Sequence, residues 1–261
     1  MTVKTKDEWQ SLDKHKYVFK EVYCAFIDIL GYKKKSELFF KNEYNLIDRL
    51  DGIFEVINFI ETLTSSLTDK SEKTVQVFSD SIIITYPVKE GSLSSLVHDI
   101  NVISAQCSMH DLFIRGGISK GKHLDTITKN SNFSFLASEA LQRAYELEQS
   151  AKMPRVLIDP ILSEHFMQID DLLIIKENND YIAHFSPQLI NREGNNENDV
   201  ITEMTDIHNR LLLENDSYIK EKYQWIIDYY YWTVKNSNNF NMNKFTQFES
   251  SNNLGFNELK R

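Results

Sequence analysis

Two kinds of apolar pattern alternate along the chain, one typical of strands and one typical of helices. Residues 22–30, VYCAFIDIL, are apolar on both faces except at the carboxylate of Asp28, which predicts a central strand. Residues 36–67 carry apolar side chains at helical spacing and predict one or two helices. The apolar positions in that stretch are Leu46, Leu50, Phe54, Ile57 and Ile60.

The following elements continue this alternation. Residues 73–87, KTVQVFSDSIIITYP, predict a hairpin that turns at Ser79 and Asp80. Next come a helix in residues 92–111, a strand with glycines in LFIRGGISKGKHL, a helix in FLASEALQRAYELEQSAK and a short buried strand in RVLIDP. This order predicts an α+β sandwich, in which helices pack over a mainly antiparallel sheet.

Beyond Pro160 the pattern changes, and we expect a second unit. The segment DLLIIKENNDYIAHFS predicts a hairpin around an Asn-Asn-Asp turn. NREGNNENDV predicts a polar loop, residues 201–235 predict a long aromatic-rich helix, and the Asn-rich tail is weakly patterned. We therefore expect one domain over residues 1–187 and a helical C-terminal extension over residues 188–261.

Composition narrows the class of protein. The net charge of −9 over 261 residues repels a phosphate backbone, which argues against non-specific nucleic-acid binding. No apolar run approaches the ~20 residues that cross a bilayer, and the start MTVKTKDEWQSLDKHK is too polar for a secretory signal. We therefore expect a cytoplasmic protein without a membrane span. The two cysteines, Cys24 and Cys107, are expected to be reduced, buried thiols.

The candidate chemistry lies in two carboxylates, Asp28 near the end of the first strand and Asp80 in the turn of the hairpin. In a sandwich of this order these elements are neighbours, so we expect the side chains to converge. Two hard oxygen donors suit Mg²⁺ or Mn²⁺ shared with substrate phosphates, which indicates phosphoryl-transfer chemistry. A single Asp at a strand end is more commonly a turn former or an ion-pair partner, and that alternative stays open for each residue.

The segment after Asp28 adds a candidate phosphate site. Gly31 turns the chain out of the strand, and the free backbone N–H groups at the start of the following helix are suited to phosphate binding. The run from Lys33 to Lys35 predicts a solvated helix face, with phosphate steering as the alternative.

Four blocks in this order resemble class III nucleotide cyclases. FIDILGY is similar to their first metal motif, FSDSIIITY to their second metal hairpin, RGGISKG to the strand that follows, and ASEALQRAYELE to the next helix. The resemblance covers residues 23–160. It implies that two ions, Mg²⁺ or Mn²⁺, bind Asp28, Asp80 and the backbone carbonyl of Ile29, with Gly31 and Tyr32 at the nucleotide. It also implies a head-to-tail homodimer with active sites at the interface.

The departures from the family pattern concern base recognition. Gln76 stands where adenylate cyclases carry a base-reading lysine, and Phe135 stands at the partner position. Gln142 occupies the ribose-orienting Asn position, and Glu146 replaces an Arg that contacts the transition state. With these substitutions the chain resembles the pyrimidine cyclases of the bacterial Pycsar anti-phage systems. That resemblance implies conversion of UTP or CTP into the 3′,5′-cyclic monophosphate, whose product activates a separate effector.

The missing Arg leaves a gap in transition-state charge that another guanidinium must fill. We expect Arg155 to contact phosphate, with Arg143 and Arg115 as alternatives, because a guanidinium binds phosphate oxygens in bidentate fashion. The competing interpretation of Arg155 is helix capping or a structural ion pair. Tyr145 is expected either to stack near the ribose or base, or to pack in the core.

Two other functions stay open. A purine cyclase, adenylate or guanylate, with an atypical base pocket is one, since Gln76 has both an amide donor and a carbonyl acceptor. A cyclase-like regulatory module without activity is the other, and the replacement of an Arg by Glu146 favours it. The presence of both metal-binding Asp residues argues against the inactive module.

Overall fold

The structure, a computed structural model, describes residues 19–67, 73–127, 134–169, 171–186, 197–237, 240–249 and 255–258. Its described strands form one sheet in the order β2-β3-β1-β4-β6-β8-β7-β9, with β5 paired to β4. The strands are β1 Lys20–Ile29, β2 Thr74–Phe78, β3 Ser81–Pro87, β4 Ile114–Ile127, β5 Ser134–Ser138, β6 Val156–Ile158, β7 Ile174–Glu177, β8 Asp180–Ala183 and β9 Phe256–Glu258.

The first strand lies inside the sheet, as predicted, between β3 and β4, and is antiparallel to both. Within the described sheet, the β4–β6 pairing is parallel and the other pairings are antiparallel. The predicted α+β class with a mainly antiparallel sheet is thereby confirmed.

The helices are α1 Tyr32–Phe40, α2 Ile47–Leu67, α3 Ser92–Met109, α4 Glu139–Ser150, α5 Glu197–Leu213 and α6 Ser217–Asn236. Short 3₁₀ helices cover Pro160–Gln168, Asp171–Leu173, Met242–Lys244 and Thr246–Phe248. The stretch after β1, predicted as one or two helices, forms two. Among these described helices, none is both long enough and apolar enough to cross a membrane.

The boundaries predicted for two helices are wrong, and in each case a capping residue marks where the helix actually begins. The helix expected from residue 135 begins at Glu139, because residues 134–138 pair with β4 and the Ser138 hydroxyl accepts the Leu141 N–H at 3.0 Å. The long helix expected over residues 201–235 is divided into α5 and α6. There the Asp216 carboxylate accepts the N–H groups of Tyr218 and Ile219 and starts a new helix.

Alternate residues of the sheet contribute to different hydrophobic cores. Ile27 of β1 and Ile158 of β6 pack in the core with α2 and α3. Leu157, the neighbour of Ile158, packs instead in the core formed by α5 and α6. On β6, the period of two therefore places neighbouring residues in cores on opposite faces of the sheet.

The C-terminal part packs directly on this sheet. The hairpin predicted beyond Pro160 is present as β7 and β8, with Asn178 in a left-handed conformation at its turn. The tail, expected to be weakly patterned, supplies β9, which pairs with β7. The predicted domain boundary after residue 187 and the polar loop that follows lie outside the described residues.

Both cysteines are buried and unbridged, as expected. Burial raises the pKa of each thiol to about 12, so both stay protonated at neutral pH.

Candidate active site

The two predicted metal-binding carboxylates are brought together at one end of β1. Asp28 pairs in register with Ser81 at the start of β3 and with Arg115 on β4. Asp80 immediately precedes Ser81, and its backbone carbonyl accepts the N–H of Ile29 at 3.0 Å. This hydrogen bond fixes the hairpin turn against the end of the strand that carries Asp28.

A tight turn places Asp80 in this position. Phe78 and Ser81 pair across β2 and β3, which leaves Ser79 and Asp80 as a two-residue turn. Ser79 has φ 57, in the left-handed region that small polar residues tolerate better than bulky ones. The predicted turn at these two residues is therefore confirmed.

The electrostatics of Asp28 show that its surroundings disfavour an unpaired negative charge. Its pKa is raised to about 6, first by burial and then by repulsion from Asp80 and Glu148. The Arg115 charge and a hydrogen bond with the Ser81 side chain oppose the rise without cancelling it. A cation bound between the two carboxylates would relieve both unfavourable effects.

The donor set fits a divalent ion that shares its coordination with a substrate. The Asp80 carboxylate lies close enough for its charge to raise the pKa of Asp28, and Mg²⁺ is commonly held by one or two protein carboxylates plus phosphate oxygens. Among the described residues, no cluster of three or more His, Cys, Asp and Glu side chains forms a potential metal cage. Two carboxylates would leave the remaining coordination positions of such an ion to substrate oxygens and water.

A buried ion pair next to Asp28 was not predicted from the sequence. Glu148 on α4 is 1% exposed and forms an ion pair with Arg115, one of the alternative arginines considered for the phosphate contact. The sequence of α4 contained a signal for this ion pair. Ala140, Ala144 and Glu148 recur every four residues on the buried side of the helix. A carboxylate on such a stripe requires a buried cation as its partner.

The glycines of RGGISKG explain how α4 comes so close to the sheet. A Cβ atom built at Gly117 would lie 2.2 Å from the Ala144 carbonyl oxygen, and one at Gly121 would lie 2.8 Å from the Ala140 nitrogen. Only glycine leaves room for a helix backbone at these distances. The motif thus sets the position of α4 and brings Glu148 to Arg115.

The start of α1 follows the carboxylate site directly. Gly31 has φ 72, which favours glycine, and precedes Tyr32 at the beginning of the helix. Lys33 and Lys34 are exposed, as the predicted solvated face requires. For Lys35 that prediction is wrong, because its ammonium group turns inward and donates to the Asp111 carbonyl at 2.7 Å.

The residues expected at the base and ribose lie on two elements. Gln76 pairs with Ile83, which pairs with Phe26, so Gln76 lies on the same face of the sheet as Asp28. Gln142 and Glu146 are exposed on α4, and the Gln142 amide donates to the Glu146 carboxylate at 3.4 Å. Phe135 belongs to β5, but its side chain lies outside the described part of the chain.

The three candidate arginines all form ion pairs. Arg155 contacts Glu177 and also Asp180, the latter at 3.0 Å, and its side chain is 14% exposed. These contacts favour the structural ion pair over the expected phosphate contact. Arg143 pairs with Glu139 one turn away at 2.7 Å, and both side chains are exposed by more than a third. Arg143 is thus the candidate whose guanidinium is most easily released to a ligand.

Tyr145 lies on the same side of the sheet as the carboxylates. Its ring meets Phe26 edge to face at 5.4 Å between centroids, and the residue is 47% exposed. Since Phe26 precedes Asp28 by two positions on β1, this aromatic surface adjoins the candidate site. The exposure favours the stacking role over the core role.

Known proteins resemble this chain in structure, whereas the sequence comparisons found no match. No protein-family profile matches the chain, and no curated protein matches it in sequence. Among solved structures, the adenylyl cyclase CyaB from P. aeruginosa is similar with a TM-score of 0.48 and 14% identity, over 64% of this chain and 95% of that one. The guanylate cyclase domain of RhGC from Catenaria anguillulae, solved with GTP, gives 0.44 and 13%, over 62% and 93%. At these scores the likeness concerns the arrangement of elements and does not extend to a reaction.

Proposed function

We propose that this chain is a metal-dependent nucleotide cyclase that converts UTP or CTP into the 3′,5′-cyclic monophosphate and pyrophosphate. The observation that carries the proposal is the convergence of Asp28 and Asp80, with the Asp80 carbonyl bonded to the Ile29 N–H and the Asp28 charge destabilised by its neighbours. A cation bound here would lie at a strand end beside a helix start, whose free N–H groups favour a phosphate.

The roles of the residues follow from their positions. Asp28, Asp80 and the Ile29 carbonyl would hold two ions, Mg²⁺ or Mn²⁺, which supply positive charge for the triphosphate and activate the ribose 3′-hydroxyl. The N–H groups following Gly31 are donors for phosphate oxygens. In the reaction, the 3′-oxygen bonds to the α-phosphorus while the bond to the β-phosphate oxygen breaks, so the chain's main contribution is to orient these atoms in line.

The pyrimidine assignment rests on the resemblance at four positions. Gln76 provides both a donor and an acceptor for a base edge, and Phe135 provides an aromatic surface. Gln142 would orient the ribose, and Glu146 takes the place of a transition-state Arg. Arg143, one turn from Glu146 on α4, would supply the missing positive charge. We assign it this role in place of Arg155, which is held by two carboxylates.

A head-to-tail homodimer would complete each active site from both subunits. Exposed aromatic side chains on the carboxylate face support this arrangement, since Phe78 is 58% and Tyr145 47% exposed. Large exposed aromatics beside a site are typical of surfaces that a partner covers. The cyclic product would act in the cytoplasm on a separate effector as part of an antiviral response.

The decisive experiment supplies each of the four NTPs with Mn²⁺ and measures cyclic nucleotide and pyrophosphate. We expect turnover of UTP or CTP, and its loss in Asp28→Asn and in Asp80→Asn. Asp51→Asn, which changes an exposed carboxylate on α2, is the matched control and should keep full activity. Turnover of a purine triphosphate alone would replace the pyrimidine assignment by the purine one, and no turnover of any NTP would favour the inactive module.

A further inference from the structure

A cavity of about 290 Å³ lies where α1 and the turn between α3 and β4 meet α6. Its apolar lining includes Leu30, Leu38, Phe113, Ile219, Tyr223 and Ile226. This volume is near the lower end of the range of about 300–1,000 Å³ that is typical of small-molecule sites. It suits a ligand with one or two rings and is too small for a nucleoside triphosphate.

Charged groups of both signs line this cavity: Lys34, Lys35 and Lys222 against Asp111 and Glu214. The Lys35 ammonium donates to the neutral carbonyl of Asp111, while the Asp111 carboxylate is held by Arg49 and Arg210. Burial, together with the charges of Arg49 and Arg210, lowers the pKa of Lys35 to about 8. The carboxylate at this point is therefore already shared by two guanidinium groups, in a chain whose net charge is −9.

An unsatisfied hydroxyl lies at the same place. Tyr44 lines the cavity, and among the described residues its buried hydroxyl has no hydrogen-bond partner. The Lys35 Nζ atom is 5.6 Å and the Arg49 guanidinium carbon 5.2 Å from the centroid of the Tyr44 ring. A buried hydroxyl without a partner is unfavourable, so a ligand acceptor that reached it would stabilise it.

We propose that this cavity binds a compact organic anion that combines one or two planar rings with a phosphate or carboxylate group. The anionic group would lie between the Lys35 ammonium and the Tyr44 hydroxyl, since both are hydrogen-bond donors. The rings would pack against Phe113 and Tyr223, whose own rings meet edge to face at 6.2 Å between centroids. Neither Asp28 nor Asp80 lines this cavity.

The cavity adjoins the carboxylate site through the backbone. Leu30 and Gly31 line the cavity and directly follow Ile29. The Leu30 N–H also donates to the Phe113 carbonyl at 2.8 Å, which joins two walls of the cavity. A ligand here would influence the start of α1, and this regulatory consequence rests on the proposed cyclase activity. The binding itself does not.

Binding is tested by titration calorimetry on the full chain in EDTA, in the background of Asp28→Asn, so that the metal-dependent site does not contribute. The probes are UMP, indole-3-carboxylate and inorganic phosphate. We expect UMP or indole-3-carboxylate to bind at least about tenfold more tightly than inorganic phosphate, because the rings bury apolar surface. The tighter of the two organic probes shows which combination of ring system and anionic group fits the cavity better.

Three variants locate the binding. Lys35→Met should weaken the organic probe by about tenfold or more, since a charge-assisted hydrogen bond is lost. Tyr44→Phe should weaken it less, and Ile219→Trp should abolish it by filling the cavity. Lys41→Met, at the exposed end of α1, is the matched control and should bind normally.

The proposal is overturned if neither organic probe binds, if inorganic phosphate binds as tightly as they do, or if binding survives unchanged in both Lys35→Met and Ile219→Trp. The binding measurement uses no metal and no turnover. Its result therefore stays valid even if the chain does not catalyse the proposed reaction.

Discussion

Glu148 on α4 and Arg115 on β4 form a buried ion pair directly beside Asp28. The pair joins the helix to the sheet and at the same time influences the candidate catalytic carboxylate. Glu148 repels the charge of Asp28, and Arg115 attracts it. The same ion pair therefore stabilises the contact between α4 and the sheet and affects the charge of Asp28.

Breaking this pair should destabilise the fold strongly. Glu148→Ala leaves a guanidinium without its partner in a largely buried position, and we expect a loss of about 3–5 kcal/mol in the free energy of unfolding. The double variant Arg115→Met with Glu148→Leu should recover most of that loss, because an apolar pair of similar volume removes the desolvation cost. Urea unfolding of Arg115→Met, of Glu148→Leu and of the double variant measures the coupling. Additive losses would show that the pair contributes no interaction.

The raised pKa of Asp28 predicts a pH-dependent stability in the absence of metal. The folded-state pKa is about 6 against an ordinary value of 3.8, so the folded state binds the proton more tightly. Stability contributed by this group is complete below about pH 4 and is lost as the pH rises through 6. Asp28→Asn should therefore be more stable than the parent chain at pH 8, by about 1 kcal/mol after allowance for solvent screening.

Thermal unfolding in EDTA between pH 4 and pH 8 checks this effect. The two melting temperatures should converge at the acidic end and separate by a few degrees at the alkaline end. Added Mn²⁺ should then stabilise the parent chain and leave Asp28→Asn nearly unchanged. A variant that is less stable than the parent at pH 8 would contradict the assigned electrostatics.

Gly117 should not tolerate a side chain. Gly117→Ala places a methyl group 2.2 Å from the Ala144 backbone oxygen, and α4 must move away from β4, at a cost of about 2 kcal/mol or more. The comparison is Gly52→Ala, where the methyl group would meet the His110 imidazole, a side chain that can rotate. There the gain in helix propensity, up to about 1 kcal/mol, offsets the crowding. The denaturant midpoint should be clearly lower for Gly117→Ala than for Gly52→Ala. Similar midpoints would contradict the close approach of α4 to β4.

Two arginines should differ in what their removal affects. Arg155→Met removes a largely buried cation between two carboxylates and should cost about 3 kcal/mol in stability. Arg143→Met removes a surface pair worth about 0.3–0.5 kcal/mol, yet should lower kcat by about tenfold or more if its guanidinium contacts the transferred phosphate. Unfolding curves and kcat on the preferred NTP separate the two effects. Full activity of Arg143→Met would contradict this role for Arg143. Another residue, or the partner subunit, would then have to supply the positive charge.

How much the sequence determined can be judged from particular elements. The strand around Asp28, the turn at Ser79 and Asp80, and the order of the elements follow from local preferences and hydrophobic period, and the structure confirms them. The start of α4 could not be placed from its pattern, since residues 134–138 are extended through their pairing with β4. That pairing joins residues that a local window does not connect.

The sequence alone determined which residues could carry charge into the site, because a carboxylate inside an apolar strand is visible without coordinates. Only the tertiary structure decided which charged groups surround the site: Arg155 is held by Glu177 and Asp180. Lys35 turns away from solvent, and Glu148 lies beside Asp28. The physical reason is that hydrophobic period and turn preference act between near neighbours along the chain. Ion pairing in a buried site depends instead on distances between residues far apart in sequence, which folding alone sets.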